Sequence, residues 1–119
     1  MNLSISIEPK DVARIPLRHP GTNEALGAFL VAGPDHEATK GFHRGRIDLM
    51  QKPDYKFDAD EFEMAMLLAR TVGWEGIKSA DTGEDVPFDP SALPSLYKQG
   101  WLRQQVLTTI GNESFFYRE

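Results

Sequence analysis

The side chains that could do chemistry in this 119-residue chain are three histidines, eighteen acids and the basic stretch KGFHRGR at 40–46. His36 and His43 stand seven residues apart. On a continuous helix they would share a face but lie about 10 Å apart along the axis, too far for one zinc ion. The chain has no cysteine and no His-x-x-x-His spacing, so thiolate chemistry and a disulfide scaffold are excluded and a zinc site is disfavoured. His19 precedes Pro20 in a turn and reads as a surface residue. Most carboxylates have local work: Asp58, Glu61 and Asp89 stand at helix starts, and Asp81, Glu84 and Asp85 flank Gly83 in a turn. DTGED at 81–85 contains the Asp-Thr-Gly of aspartic proteases. That chemistry needs a partner carboxylate from a second such loop, and there is one copy here. A calcium loop would need ligands spread over about twelve residues with a closing glutamate. There is no phosphate-binding Gly-rich loop and no nucleophile elbow, and the serines have no histidine and acid at a recognisable spacing. The residues therefore predict no catalytic group, no cofactor and no metal: not an enzyme.

Lys40, Arg44 and Arg46 could meet nucleic acid beside Phe42, or could be a solvated helix face. The charge balance favours the second reading. The net charge is −5, and residues 57–119 carry eleven acids against five bases. Phosphate neutralisation needs clustered cations, so an acidic second half disfavours duplex binding. What remains is apolar surface. Tyr97 and Trp101, together with Phe115 and Phe116 in the closing SFFY, are the candidate partner-binding residues. The terminal pair either folds back into the core or is offered to a partner.

The elements that must position these groups can be traced along the chain. Leu3, Ile5 and Ile7 alternate with polar residues, as a strand does. Residues 13–32 read as a hairpin whose turn holds Pro20, Gly21 and Asn23, with Pro16 marking an edge or irregular strand. Pro34 and Asp35 open a helix that Pro53 ends. Its apolar stripe is Ala38, Phe42, Arg46 or Ile47, and Leu49 or Met50, and Gly41 and Gly45 make it dependent on packing. DADEFEMAMLLARTVG is the clearest helix. Asp58 caps it, Glu61 sits three residues on, Phe62, Ala65, Met66, Ala69 and Val72 share a face, and Gly73 is placed as the C′ glycine. KSADTGEDVPF reads as a short hairpin. Asp89 and Pro90 open a short helical turn, and a last helix runs from about Trp101 to Ile110. The expectation is one domain over 1–119, mostly β to residue 33 and mostly α from 34. The fold class is α+β, a small N-terminal antiparallel sheet packed with a bundle of about three to four helices and a short β-hairpin. No apolar run approaches the roughly 20 residues of a membrane span, and the N-terminal stretch has no signal-peptide pattern, so a soluble protein is expected.

The second half resembles the tail assembly chaperones of long-tailed bacteriophages and prophages. The residues carrying the likeness are Trp74, Gly76 and Ile77, then Pro87, Phe88 and Asp89, then Leu102, Arg103, Gln105 and Val106, then Phe115 and Phe116. LRHPGTNEALGAFLVAGPD is similar to the family's strand–turn–strand opening. The resemblance spans roughly residues 15–116, and LPSLYKQGW departs from it through Pro94 and Gly100. It implies a non-enzymatic cytoplasmic role in a bacterial host cell: binding the helical, apolar tape measure protein, and the tail-tube protein, while the tail is built. Two other roles stay open. One is a structural adaptor kept in the particle, such as a tail terminator or head–tail joining protein. The weaker one is a nucleic-acid-binding regulator.

Overall fold

The computed structural model describes residue 4 and residues 7–117. Alternation makes the first hairpin. Val12–Arg18 is β1, with Ala13, Ile15 and Leu17 buried and the residues between them exposed. Ala25–Ala32 is β2, antiparallel to it, with Ile15 opposite Phe29 and Ala13 opposite Val31. Pro16, which has no N–H to give, lies on the outer strand and beside a shift in register. In the turn Asn23 takes a left-handed conformation (φ 62°). His19 Nδ1 accepts from the N–H groups of Gly21 (3.0 Å) and Thr22 (3.1 Å). Of the expected first strand, Leu3 and Ile5 lie outside the described residues, and Ile7 is in no strand.

Glu37–Met50 is α1 and Ala59–Arg70 is α2. The first of these starts just after Pro34 and Asp35, and its N-cap is His36, whose Nδ1 accepts from Ala38 N–H at 2.9 Å. The inward face of α1 is Thr39, Phe42, Arg46 and Leu49, while Ile47 and Met50 are exposed. In α2 the expected cap is present, with Asp58 Oδ1 accepting from Glu61 N–H at 3.1 Å.

The helix does not run on to Val72. It ends at Arg70, and Thr71–Glu75 is a third strand, β3, antiparallel to β2 on the side away from β1. Val31 faces Thr71, Leu30 faces Gly73 and Phe29 faces Trp74, which leaves Val72 as the extra residue of a bulge. One local feature favours the break: Thr71 and Val72 are β-branched. The Thr71 backbone N–H makes the last bond of the helix, to Leu67 O, and its Oγ1 donates to the same carbonyl at 2.7 Å. Gly73 is therefore not a helix-closing residue. It lies under Leu30, whose Cδ1 would be 3.0 Å from any Cβ placed there.

Residues 77–86 form the expected short hairpin: Val86 N–H donates to Ile77 O at 2.8 Å and Ser79 N–H to Glu84 O at 2.9 Å. After a 3-10 turn at Pro90–Ala92 come α3 (Leu93–Tyr97) and α4 (Gly100–Gly111), then a closing 3-10 turn at Glu113–Tyr117. Pro94 sits in the first turn of α3 and Gly100 opens α4, so neither breaks a helix interior.

One face of the sheet is dry. Ile15, Leu17, Phe29 and Val31 meet Leu67 of α2, Leu93 and Tyr97 of α3, and Leu102 and Val106 of α4. The other face carries Val12, Arg14 and Glu75, with Arg14 Nε and Glu75 Oε2 2.7 Å apart. The architecture is α+β: a three-stranded antiparallel sheet with helices over one face. Among the described residues no helix is long and apolar enough to cross a membrane.

Candidate functional site

The Trp74 corner is built by a ladder of rings. β3 places Trp74 across from Phe29, and their centroids are 6.2 Å apart in a stacked arrangement. Phe29 meets Tyr97 edge-on at 5.6 Å, and Trp74 meets Phe88 edge-on at 5.0 Å. Offset and edge-to-face contacts suit the ring quadrupoles. Trp74 Nε1–H donates to Val86 O at 2.7 Å, which ties the third strand to the 77–86 hairpin. Gly76 follows at φ +66° and packs against Gly27 at φ +102°. A Cβ on Gly27 would lie 2.6 Å from Glu75 O, so that position of β2 needs glycine for both shape and space. Pro87 is exposed and carries the chain from Val86 to Phe88. Asp89 Oδ1 accepts from Ser91 N–H (3.0 Å) and Ser91 Oγ–H (2.7 Å), and these bonds hold its carboxyl below the usual range. The group 74–89 thus works as a packing corner.

The four candidate partner-binding residues separate. Tyr97 is 0% exposed and belongs to the core, which corrects a surface role for it. Its O–H lies 2.6 Å from Thr71 Oγ1, and the Thr71 hydroxyl hydrogen goes to Leu67 O, so Tyr97 is the donor. Burial pushes the phenol up to about 12. Phe116 is also buried, its carbonyl accepting from Lys10 N–H, and so is not offered to a partner either. Phe115 is half-buried and meets Phe116 edge-on. Trp101 is the one that stands at an open surface. It lines a groove of about 430 Å³ with Leu26, Ile77 and Leu96 as its walls and the buried Phe29 and Leu102 behind them. Glu24, Lys78 and Gln99 are its exposed polar members. Trp101 also lines a second, more polar groove with Arg18, Gln104, Gln105 and Thr108. There Gln105 locks α4 to β1, accepting from Arg18 N–H at 2.9 Å and donating to Arg18 O at 2.7 Å.

The basic stretch is taken apart by the fold. Arg46 turns inward, both oxygens of Glu61 accepting from its Nη1 (2.9 and 2.8 Å) and Tyr55 Oη from its Nη2 (2.9 Å). Phe42, Tyr55 and Phe62 surround its guanidinium carbon at 5.2–5.9 Å. The bonds to Glu61 raise its pKa. Arg44 stays outside, 3.4 Å from Glu37. Among the described residues no three histidine or acidic side chains converge to hold a metal ion. Of the alternatives Arg46 or Ile47 on the stripe of α1, the structure turns Arg46 inward. Sequence reasoning missed the second inward arginine, Arg70, because a guanidinium in a helix reads as solvated unless its partners are known. It also missed Gly27, whose only signal was a glycine inside an apolar strand run. No protein-family model matches the chain, and neither does any curated protein or solved structure.

Proposed function

We propose that this chain is a non-enzymatic tail assembly chaperone, and that it covers an apolar helical stripe of a tape measure protein while tail-tube subunits assemble. The observation that carries the reading is the open apolar groove at Trp101, walled by Leu26, Ile77 and Leu96. A helix with an uncovered apolar stripe docks into such a groove through residues spaced three and four apart, and an indole at the lip is a common anchor. The acidic balance of residues 57–119 supports the same role, since rim charge favours contacts that release easily. The resemblance through Trp74, Gly76, Pro87, Phe88 and Asp89 supplies the identity of the partner.

The test is co-expression with the tape measure protein of the same phage or prophage. The tape measure protein is expected to stay in solution and co-purify with this chain, and Trp101→Ala or Ile77→Asp should reduce the recovered complex by about tenfold or more. A tape measure protein that is equally insoluble with and without this chain refutes the proposal. Recovery of the chain as a ring in purified particles would replace it with the structural-adaptor reading.

A further inference from the structure

Arg70, the last residue of α2, is a second inward arginine. It is 8% exposed. Its Nε–H and an Nη2–H both donate to Ala32 O, at 3.0 and 2.8 Å, and the Phe116 ring centre lies 5.4 Å from the guanidinium carbon. A guanidinium has five N–H donors, and these contacts use two. Among the described residues no carboxylate pairs with it. Nη1 makes no hydrogen bond there either, yet it is not sealed in: the one fully buried, unbonded side-chain polar atom among those residues is Arg46 Nε. Arg70 lines the space beside it, a cavity of about 210 Å³ that it shares with Pro34, Ile110, Phe116 and Tyr117. Loss of water around the guanidinium lowers its pKa.

We propose that this cavity binds a small organic carboxylate with a flat apolar body, of the size of benzoate. The two free edges, Nη1–H and Nη2–H, form a fork that matches the two oxygens of a carboxylate. Ile110, Pro34 and the rings of Phe116 and Tyr117 receive the body. The size fits: an apolar cavity of about 150 Å³ accommodates benzene, so about 210 Å³ leaves room for a ring and its carboxylate. This site is separate from the Trp101 groove and does not depend on the function proposed for it.

The experiment is an amide NMR titration of the full chain with three probes: benzoate, benzyl alcohol and inorganic phosphate. Benzoate is expected to shift the amides of Ala32, Gly33, Arg70 and Ile110 and to saturate at millimolar concentration. Benzyl alcohol, which lacks the charge, and phosphate, which lacks the apolar body, should each bind about tenfold more weakly or less. Arg70→Lys should weaken benzoate by about tenfold through loss of the fork. Ile110→Trp fills the cavity without touching Arg70 and should abolish binding. Equal binding of benzoate and either control overturns the proposal, as does a benzoate titration that does not saturate by about 50 mM. The three-probe comparison on the unmodified chain decides the question even where a variant fails to fold.

Discussion

Replacing Tyr97 by phenylalanine should make the protein less stable at neutral pH and more stable in alkali. The phenol is fully buried and donates to Thr71 Oγ1 at 2.6 Å. Tyr97→Phe removes that bond and leaves one lone pair of the Thr71 oxygen unmet, at a cost of about 1–2 kcal/mol. In a chain of this length that lowers Tm by roughly 3–8 °C. Raising the pH reverses the order. The phenol is held at about 12 in the folded protein against an ordinary value of 10.0, so the unfolded chain gives up this proton first. Between those values the unfolded state binds fewer protons than the native state, and stability falls as pH rises. A tenfold change in a protonation equilibrium is worth about 1.4 kcal/mol, so native protein loses about 1.4 kcal/mol through this group by pH 11 and roughly 2.3 kcal/mol by pH 12. The phenylalanine variant loses none of it. Urea denaturation of both proteins at pH 7, 9, 10 and 11 isolates the effect, because the remaining tyrosines and the lysines are common to the two. The curves are expected to approach above pH 10 and cross near about pH 11. A stability gap that stays constant from pH 7 to 11 would refute the reasoning and place the phenol in contact with solvent.

Trp74→Ala should cost about 3 kcal/mol through lost ring packing and an unmet Val86 carbonyl, measured by thermal unfolding. An unchanged melting temperature would show the indole to be dispensable to the fold. Gly27→Ala should cost more than about 2 kcal/mol, since the backbone is left-handed there and the new Cβ meets Glu75 O, whereas Gly83→Ala in the open turn should cost less. Equal effects at the two glycines would contradict the close approach of β2 to residues 75–76. Arg46→Met should loosen α1 from α2, seen as faster amide exchange in Glu37–Met50 with the sheet amides unchanged. Exchange that is unchanged in α1 would mean that the Phe42–Phe62 contact alone holds the pair.

Much of the fold could be read from local pattern. The hairpin followed from alternation around a Pro-Gly turn, α2 from Asp58 and Glu61, and the last helices from Asp89-Pro90 and the glycines at 100 and 111. The third strand could not. Val72 continues the helical face of Phe62, Ala65 and Ala69, so periodicity carries the helix two residues too far. What draws the chain away is the open side of β2, a partner some forty residues away in sequence. The candidate site was legible to the same degree. Trp74, Phe88 and Asp89 sit together because they are close in sequence and joined by one hairpin. Tyr97 and Trp101, four apart, have opposite fates: one ring points under the sheet and the other stands at its end. Helical spacing predicts that two such residues share a face, but the chain bends between α3 and α4, and the shared face is lost.

The absence of any loop between α2 and β3 bears on how the molecule assembles. Six residues, 19–24, connect β1 to β2, while residues 33–70 separate β2 from β3. Closing the longer segment costs about 1.6 kcal/mol more in chain entropy, so the first hairpin forms early and the third strand must wait. Meanwhile α2 can grow on its own, and the β-branched pair Thr71 and Val72 weakens a further turn without forbidding it. Any such extra turn has to unwind before Thr71 and Val72 can join β2. At this junction each residue gained by the helix is a residue withheld from the sheet.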